Sequence, residues 1–109
     1  MKQLDHIQKL AVLHCVFQTI ASADGNVDEE RDFEAISLAL ESVGLQSIHM
    51  WDAALKLDPH DCFYHISTMS TENKETFKNL INSVICMGGN EQLRRTCADH
   101  LLVLCRVDK

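Results

Sequence analysis

Apolar positions along the chain recur at helical spacing, and no run alternates strictly between apolar and polar as a half-buried strand does. The spacing predicts six helices and an all-α fold. The first covers residues 2–23. From Leu10 onward, Leu10, Ala11, Val12, Leu13, Val16, Phe17, Ile20 and Ala21 point in nearly every direction around its axis, and a helix that is apolar all round is a buried one. Asp24-Gly25-Asn26 stops it, because glycine enters the left-handed conformation of a helix C-terminus without steric cost. A second helix is expected from near Asp28 to Gly44. Glu29 and Glu30 stand in its first turn, where carboxylates suit the positive end of the dipole, and Phe33, Ile36, Leu40 and Val43 form its core stripe.

A shorter third helix, over 47–57, docks through Ile48, Trp51 and Leu55. Asp58-Pro59 opens the fourth, over 59–69, with an N-cap acid followed by proline at the first helical position. Ser70 or Thr71 caps the fifth, which turns Phe77, Leu80, Ile81, Val84 and Ile85 inward and ends at Gly88-Gly89-Asn90. The sixth runs over 91–107 with Leu93, Cys97, Leu101 and Leu104 on one side. Its stretch from Leu101 to Cys105 is apolar in every direction, which predicts a second buried central helix.

The two halves of the chain are alike at an offset of 64 residues. Leu13, Val16, Phe17, Ile20 and Ala21 fall on Phe77, Leu80, Ile81, Val84 and Ile85, while Gly25, Asn26 and Arg31 fall on Gly89, Asn90 and Arg95. The acids do not repeat: Asp24, Asp28 and Glu30 fall on Gly88, Gln92 and Arg94. Each half reads as helix, glycine corner, helix, with charge at the first corner alone.

Charge sharpens this asymmetry. The 109 residues have room for one core, a single domain over 1–109, and carry a net charge of −6. From Asp24 to Glu34 the chain holds six acids against the single Arg31, whereas the remainder holds ten acids and nine bases. Nearly all of the net charge sits at one corner. An acidic chain does not suit a phosphate backbone, so no nucleic-acid partner is expected. The longest apolar run, 10–17, is broken by His14 and falls short of the roughly 20 residues a bilayer span needs, so direct membrane insertion is excluded. Polar residues at 3, 5, 6, 8 and 9 break up a signal-peptide core, and five cysteines without disulfide spacing fit a reducing compartment, so a cytoplasmic location is expected.

Ile20-Ala21-Ser22-Ala23-Asp24-Gly25-Asn26-Val27-Asp28-Glu29-Glu30, between an apolar helix and an amphipathic one, resembles the repeated alanine-aspartate-glycine signature of TerB-like domains, a family with tellurite-resistance and co-chaperone members. The resemblance implies an all-helical, non-enzymatic domain of two helix-corner units about a pseudo-twofold axis, with acids proposed to hold a cation and a tellurite-resistance or stress-response setting. Its motif acids fall on Asp24 and Glu30, with Asp28 at a polar cap position; the second signature has Gly88 in place of its aspartate.

Asp24, Asn26, Asp28 and Glu30 also have, by themselves, the every-second-residue oxygen spacing of a divalent-cation loop for calcium, magnesium or manganese. An EF-hand fails, because its glycine and glutamate positions hold Glu29 and Ala35. Capping and the helix dipole account for most of the acids. They leave unexplained two like-charge pairs, Asp28 with Asp32 and Glu30 with Glu34, which at i,i+4 destabilise a helix. With Glu41 these acids make a stripe free of lysine, so Asp28, Glu29, Asp32, Glu34 and Glu41 are expected to form a face that docks a basic protein surface, ranked ahead of the cation site.

Two other chemistries are available. His60, Cys62 and His65 are the densest histidine-cysteine cluster, with the i,i+3 spacing of a zinc or nucleophile pair but no second pair to complete four ligands. Met50, Trp51, Met69 and Met87 would supply the apolar patch of a homo-oligomerisation module if exposed. His14 reads as a hydrogen-bonded core histidine, Trp51 as an anchor for the third helix, and Cys15, Cys86, Cys97 and Cys105 as small core hydrophobes.

Overall fold

The computed structural model describes residues 1–25, 27–28, 30–87 and 90–108, with positions 23 and 24 described by their backbone. Six α-helices follow in order: α1 (His6–Asp24), α2 (Phe33–Ser42), α3 (Ile48–Leu55), α4 (Pro59–Ser67), α5 (Thr71–Ile85) and α6 (Glu91–Leu104). No strand occurs among the described residues, and the helices close into one compact all-α domain with a radius of gyration of 12.3 Å.

Local chemistry sets the helix starts. Asp5 caps α1 through a reciprocal pair in which its carboxylate accepts from the Gln8 N–H at 2.8 Å and its own N–H donates to Gln8 Oε1 at 3.1 Å. The helix therefore starts at His6 rather than at residue 2. Lys2 is instead clamped to α5, donating its N–H to Asn73 Oδ1 and accepting from Asn73 Nδ2. Ser47, Asp58 and Ser70 cap α3, α4 and α5 with their side-chain oxygens. At the far end of α1, Gly25 takes φ of 81° and returns its N–H to Ala21 O at 2.8 Å, the closure expected from the glycine.

Helix α1 is the axis of the molecule, and α2, α3, α4, α5 and α6 all pack against it. Leu10, Ala11, Val12, Leu13, Cys15, Val16 and Ile20 are buried, in agreement with the all-round apolar pattern. His14 is buried among them. Its Nδ1 faces Ala54 O at 2.9 Å and its Nε2 faces Gln18 Nε2 at 2.9 Å; a carbonyl only accepts, so Nδ1 carries the hydrogen. This bond pins α3 to α1, and Trp51, also buried, completes the anchor. In α5, Phe77, Leu80, Ile81, Val84 and Ile85 are all buried as expected.

Helix α6 departs from expectation. It packs chiefly on α1 and α5, and its inward residues are Arg94, Ala98, Leu101 and Leu102, followed by Cys105 at its C-cap. This stripe is turned by one residue from the expected one. Leu93 is 55% exposed and Val103 and Leu104 lie outside as well, so α6 is a wall of the bundle and not a second central helix. Phe33 is likewise exposed, at 66%, because regular helix begins at Phe33 itself, after a separate turn, and its first residue faces outward. Cys86, at the C-cap of α5, is exposed rather than a core residue, while Cys97 is half-buried with its thiol 3.7 Å from Gln18 O. Trp51 and Met69 are buried and Met50 partly so, which leaves Met87 as the one exposed member of the expected oligomerisation patch. Three other large exposed apolar side chains, Leu93, Val103 and Leu104, lie on α6.

Candidate functional site: the acidic corner and its arginine

Between α1 and α2 the chain makes a turn of its own before regular helix begins. The Asp32 N–H reaches back to Asp28 O at 2.8 Å, closing one helical turn. Asp28 Oδ1 caps that turn, accepting from the N–H of Glu30 at 2.9 Å and of Arg31 at 3.0 Å. These two bonds favour the ionised carboxyl and hold it below the usual carboxylate range. The start expected near Asp28 is therefore a capped turn, with α2 following from Phe33.

The like-charge pair Asp28 and Asp32 is resolved by geometry. Asp32 Oδ2 accepts the Asp28 backbone N–H at 3.0 Å, and the same oxygen lies 2.9 Å from Arg31 Nη2. Asp32 thus takes the Asp28 N–H on a carboxylate oxygen and returns its own N–H to the Asp28 carbonyl. Asp32 is only 6% exposed, and its other oxygen, Oδ1, lies 3.6 Å from Arg94 Nη2. It belongs to the interior of the corner and is removed from the outer face on which it was expected.

Arg94 is the residue that sequence reasoning missed. It is 1% exposed, among the largest fully buried side chains, and donates from Nη1 to Val84 O at 3.0 Å near the end of α5. A charge is buried at such cost only when paired and hydrogen-bonded. Here the guanidinium joins three places at once: the N-cap of α2, the end of α5 and the first turns of α6. The sequence did hold a signal, for Arg94 stands at the position that falls on Glu30 in the first half. A base stands in the second half where the first has an acid, although its partner is Asp32 and not Glu30.

Glu30, Glu34 and Glu41 are exposed, and no side-chain hydrogen bond or ion pair joins them to another described residue. Glu34 and Glu41, seven residues apart on α2, share one helix face, and Glu41 borders a shallow concavity of about 310 Å³ with Ser37, Gly44 and Gln46. Asp28 is also exposed, although its Oδ1 is engaged. Asn26, Glu29 and the side chain of Asp24, expected as ligands or docking residues, lie outside the described residues.

A divalent cation needs six or more oxygens turned inward on one point. Among the described residues no group of three or more histidine, cysteine, aspartate or glutamate side chains is arranged to hold a metal ion. The described part of the corner does not fit one: Asp28 Oδ1 is held by two N–H groups, Asp32 by two guanidinium groups, and Glu30 points to solvent.

The His60, Cys62 and His65 cluster is dispersed. Cys62 is buried, and burial first, with the Asp61 charge second, pushes its thiol up to about 12. It stays protonated through neutral pH, the wrong state for a nucleophile or a metal ligand. His60 is exposed, with its ring edge-on to Phe63, and only His65 shares with Cys62 a small cavity of about 70 Å³. A wider, shallower groove of about 470 Å³ runs along α6 between Leu93, Leu104, Gln18 and Phe63. Among the described residues no helix is long and apolar enough to cross a membrane.

Scanned against protein-family models, curated proteins and solved structures, the chain matches none of them.

Proposed function

We propose that this is a non-enzymatic, cytoplasmic TerB-like interaction domain, whose exposed carboxylates Asp28, Glu30, Glu34 and Glu41 dock the basic surface of a protein partner. The observation that carries the docking role is that Glu30, Glu34 and Glu41 have no side-chain partner among the described residues, beside an acid, Asp32, that is engaged by two guanidinium groups. The chain neutralises the corner acid it needs for folding and leaves the others to solvent. Like charges lined up without lysine cost stability in the free protein and are relieved by a basic partner, which also gains from steering at long range. The resemblance of Ala23-Asp24-Gly25 and its surroundings supports the family reading. The stress-response setting, tellurite resistance included, follows from that resemblance.

The test is calorimetric titration of a lysine-rich peptide into the wild type, into a Glu30→Gln, Glu34→Gln, Glu41→Gln variant, and into a Glu72→Gln, Glu75→Gln control that removes exposed acids of α5. The first variant is expected to lose about tenfold in affinity and most of the salt dependence while the control keeps both. Equal loss in the two would reduce the effect to net charge and defeat the reading.

A second reading, a self-associating module, is favoured by the exposed Leu93, Val103 and Leu104 of α6. Sedimentation of wild type against Leu93→Ser, Leu104→Ser tests it: a concentration-dependent dimer abolished by the substitutions supports it, and a monomer at all concentrations sinks it.

A further inference from the structure

We propose that the Arg94 guanidinium is the resident cation of the acidic corner, a charge latch reaching from the second half of the chain that holds the turn before α2 in place without a metal ion. The proposal stands whether or not the docking reading does.

The turn from Asp28 to Asp32 has little apolar material of its own. Asp28, Glu30 and Arg31 are exposed, Val27 is half-buried, and what the described residues of the turn place inside is the carboxylate of Asp32. Holding that carboxylate inside requires positive charge. Arg31 supplies some at 2.9 Å, but it is next in sequence and half in water, so this bond ties the turn to no other element. Arg94 is different. It is buried, it comes from α6, and its second nitrogen is fixed to Val84 O at 3.0 Å, a carbonyl in the last turn of α5 that also accepts from Met87. A planar guanidinium with donors on separate nitrogens can face a carboxylate and a carbonyl together, which a spherical ion or a lysine ammonium does less well. The position of the turn is thereby referred to the packed ends of α5 and α6. The carboxylate that would head a cation shell is already occupied by a charge the polypeptide carries with it.

The consequence is a corner ordered by Arg94 and indifferent to divalent ions. Three measurements on the intact protein test this. In nitrogen-15 spectra the Nη groups of Arg94 are expected as separate, slowly rotating signals that merge in Asp32→Asn. Amide exchange at Asp28 and Asp32 is expected to quicken about tenfold or more in Arg94→Met relative to amides in the middle of α1, with Arg94→Lys between the two. At fixed ionic strength, neither a chelator nor millimolar calcium, magnesium or manganese is expected to change these amides in the wild type. If Arg94→Met does not fold, Arg94→Lys and Asp32→Asn carry the same comparison. Saturable protection of the corner amides by any of the three ions would overturn the proposal. So would corner amides that follow those of α1 in every variant, or Arg94 signals unaffected by Asp32→Asn.

Discussion

Helices α1 and α6 both carry apolar residues on all sides over part of their length, yet one is the axis of the bundle and the other its wall. The difference lies in what surrounds them. Every other helix packs on α1, whereas α6 rests chiefly on α1 and α5. It uses one stripe, Arg94, Ala98, Leu101, Leu102 and Cys105, and leaves Leu93, Val103 and Leu104 in water. Apolar character all round a helix shows that it tolerates burial on every side, and the number of neighbours decides how much of that is used.

The sharpest way to break the comparison is to truncate one leucine in each helix. Leu13→Ala in α1 removes a fully buried side chain and should cost about 3 to 5 kcal/mol by denaturant unfolding, while Leu104→Ala in α6 should stay within about 0.5 kcal/mol. Similar losses in both would mean that α6 is covered in solution. A smaller effect probes the thiols around α1. Cys15 is pushed well above the ordinary range by burial and by its neighbour Cys105, and Cys62 is pushed up to about 12. Unfolded cysteine titrates near about 8.5, so the unfolded chain releases these protons first. Their contribution is intact below that pH and is lost as pH rises toward 12. Unfolding midpoints measured from neutral to pH 11 should fall, and Cys62→Ala should make the fall shallower; a flat wild-type profile would refute this.

The legible and illegible parts of the molecule divide along the same line. Caps and breakers act locally, so Gly25, Ser47, Asp58 and Ser70 set ends that could be read from neighbouring residues. The start of α1 was missed because the reciprocal bonds of Asp5 and Gln8 take the chain before His6 out of the helix. For α6 the error had one source. Periodicity counts apolar residues, and it chose Leu93 to head the inward stripe because the true head is charged. Arg94 is inside because Asp32 is inside, a reason 62 positions away that no local window contains. At the corner the charge is legible, but Asp32 falls by spacing on the face with Glu34 and Glu41, since a sequence shows that acids are close and not which of them has a partner.

The central place of α1 has a consequence during synthesis. It is made before the helices that enclose it, and α6 is complete only about eighty residues later, which at ordinary elongation rates is a wait of roughly 4 to 16 s. Through that interval a helix whose stretch from Leu10 to Val16 is buried on every side in the fold leaves the ribosome ahead of its own walls. Most helical stability in proteins comes from tertiary packing, so the segment emerges without the contacts that hold it in the fold. The apolar surface of the nascent segment thus stays uncovered until its partners are made, the condition that favours aggregation during synthesis.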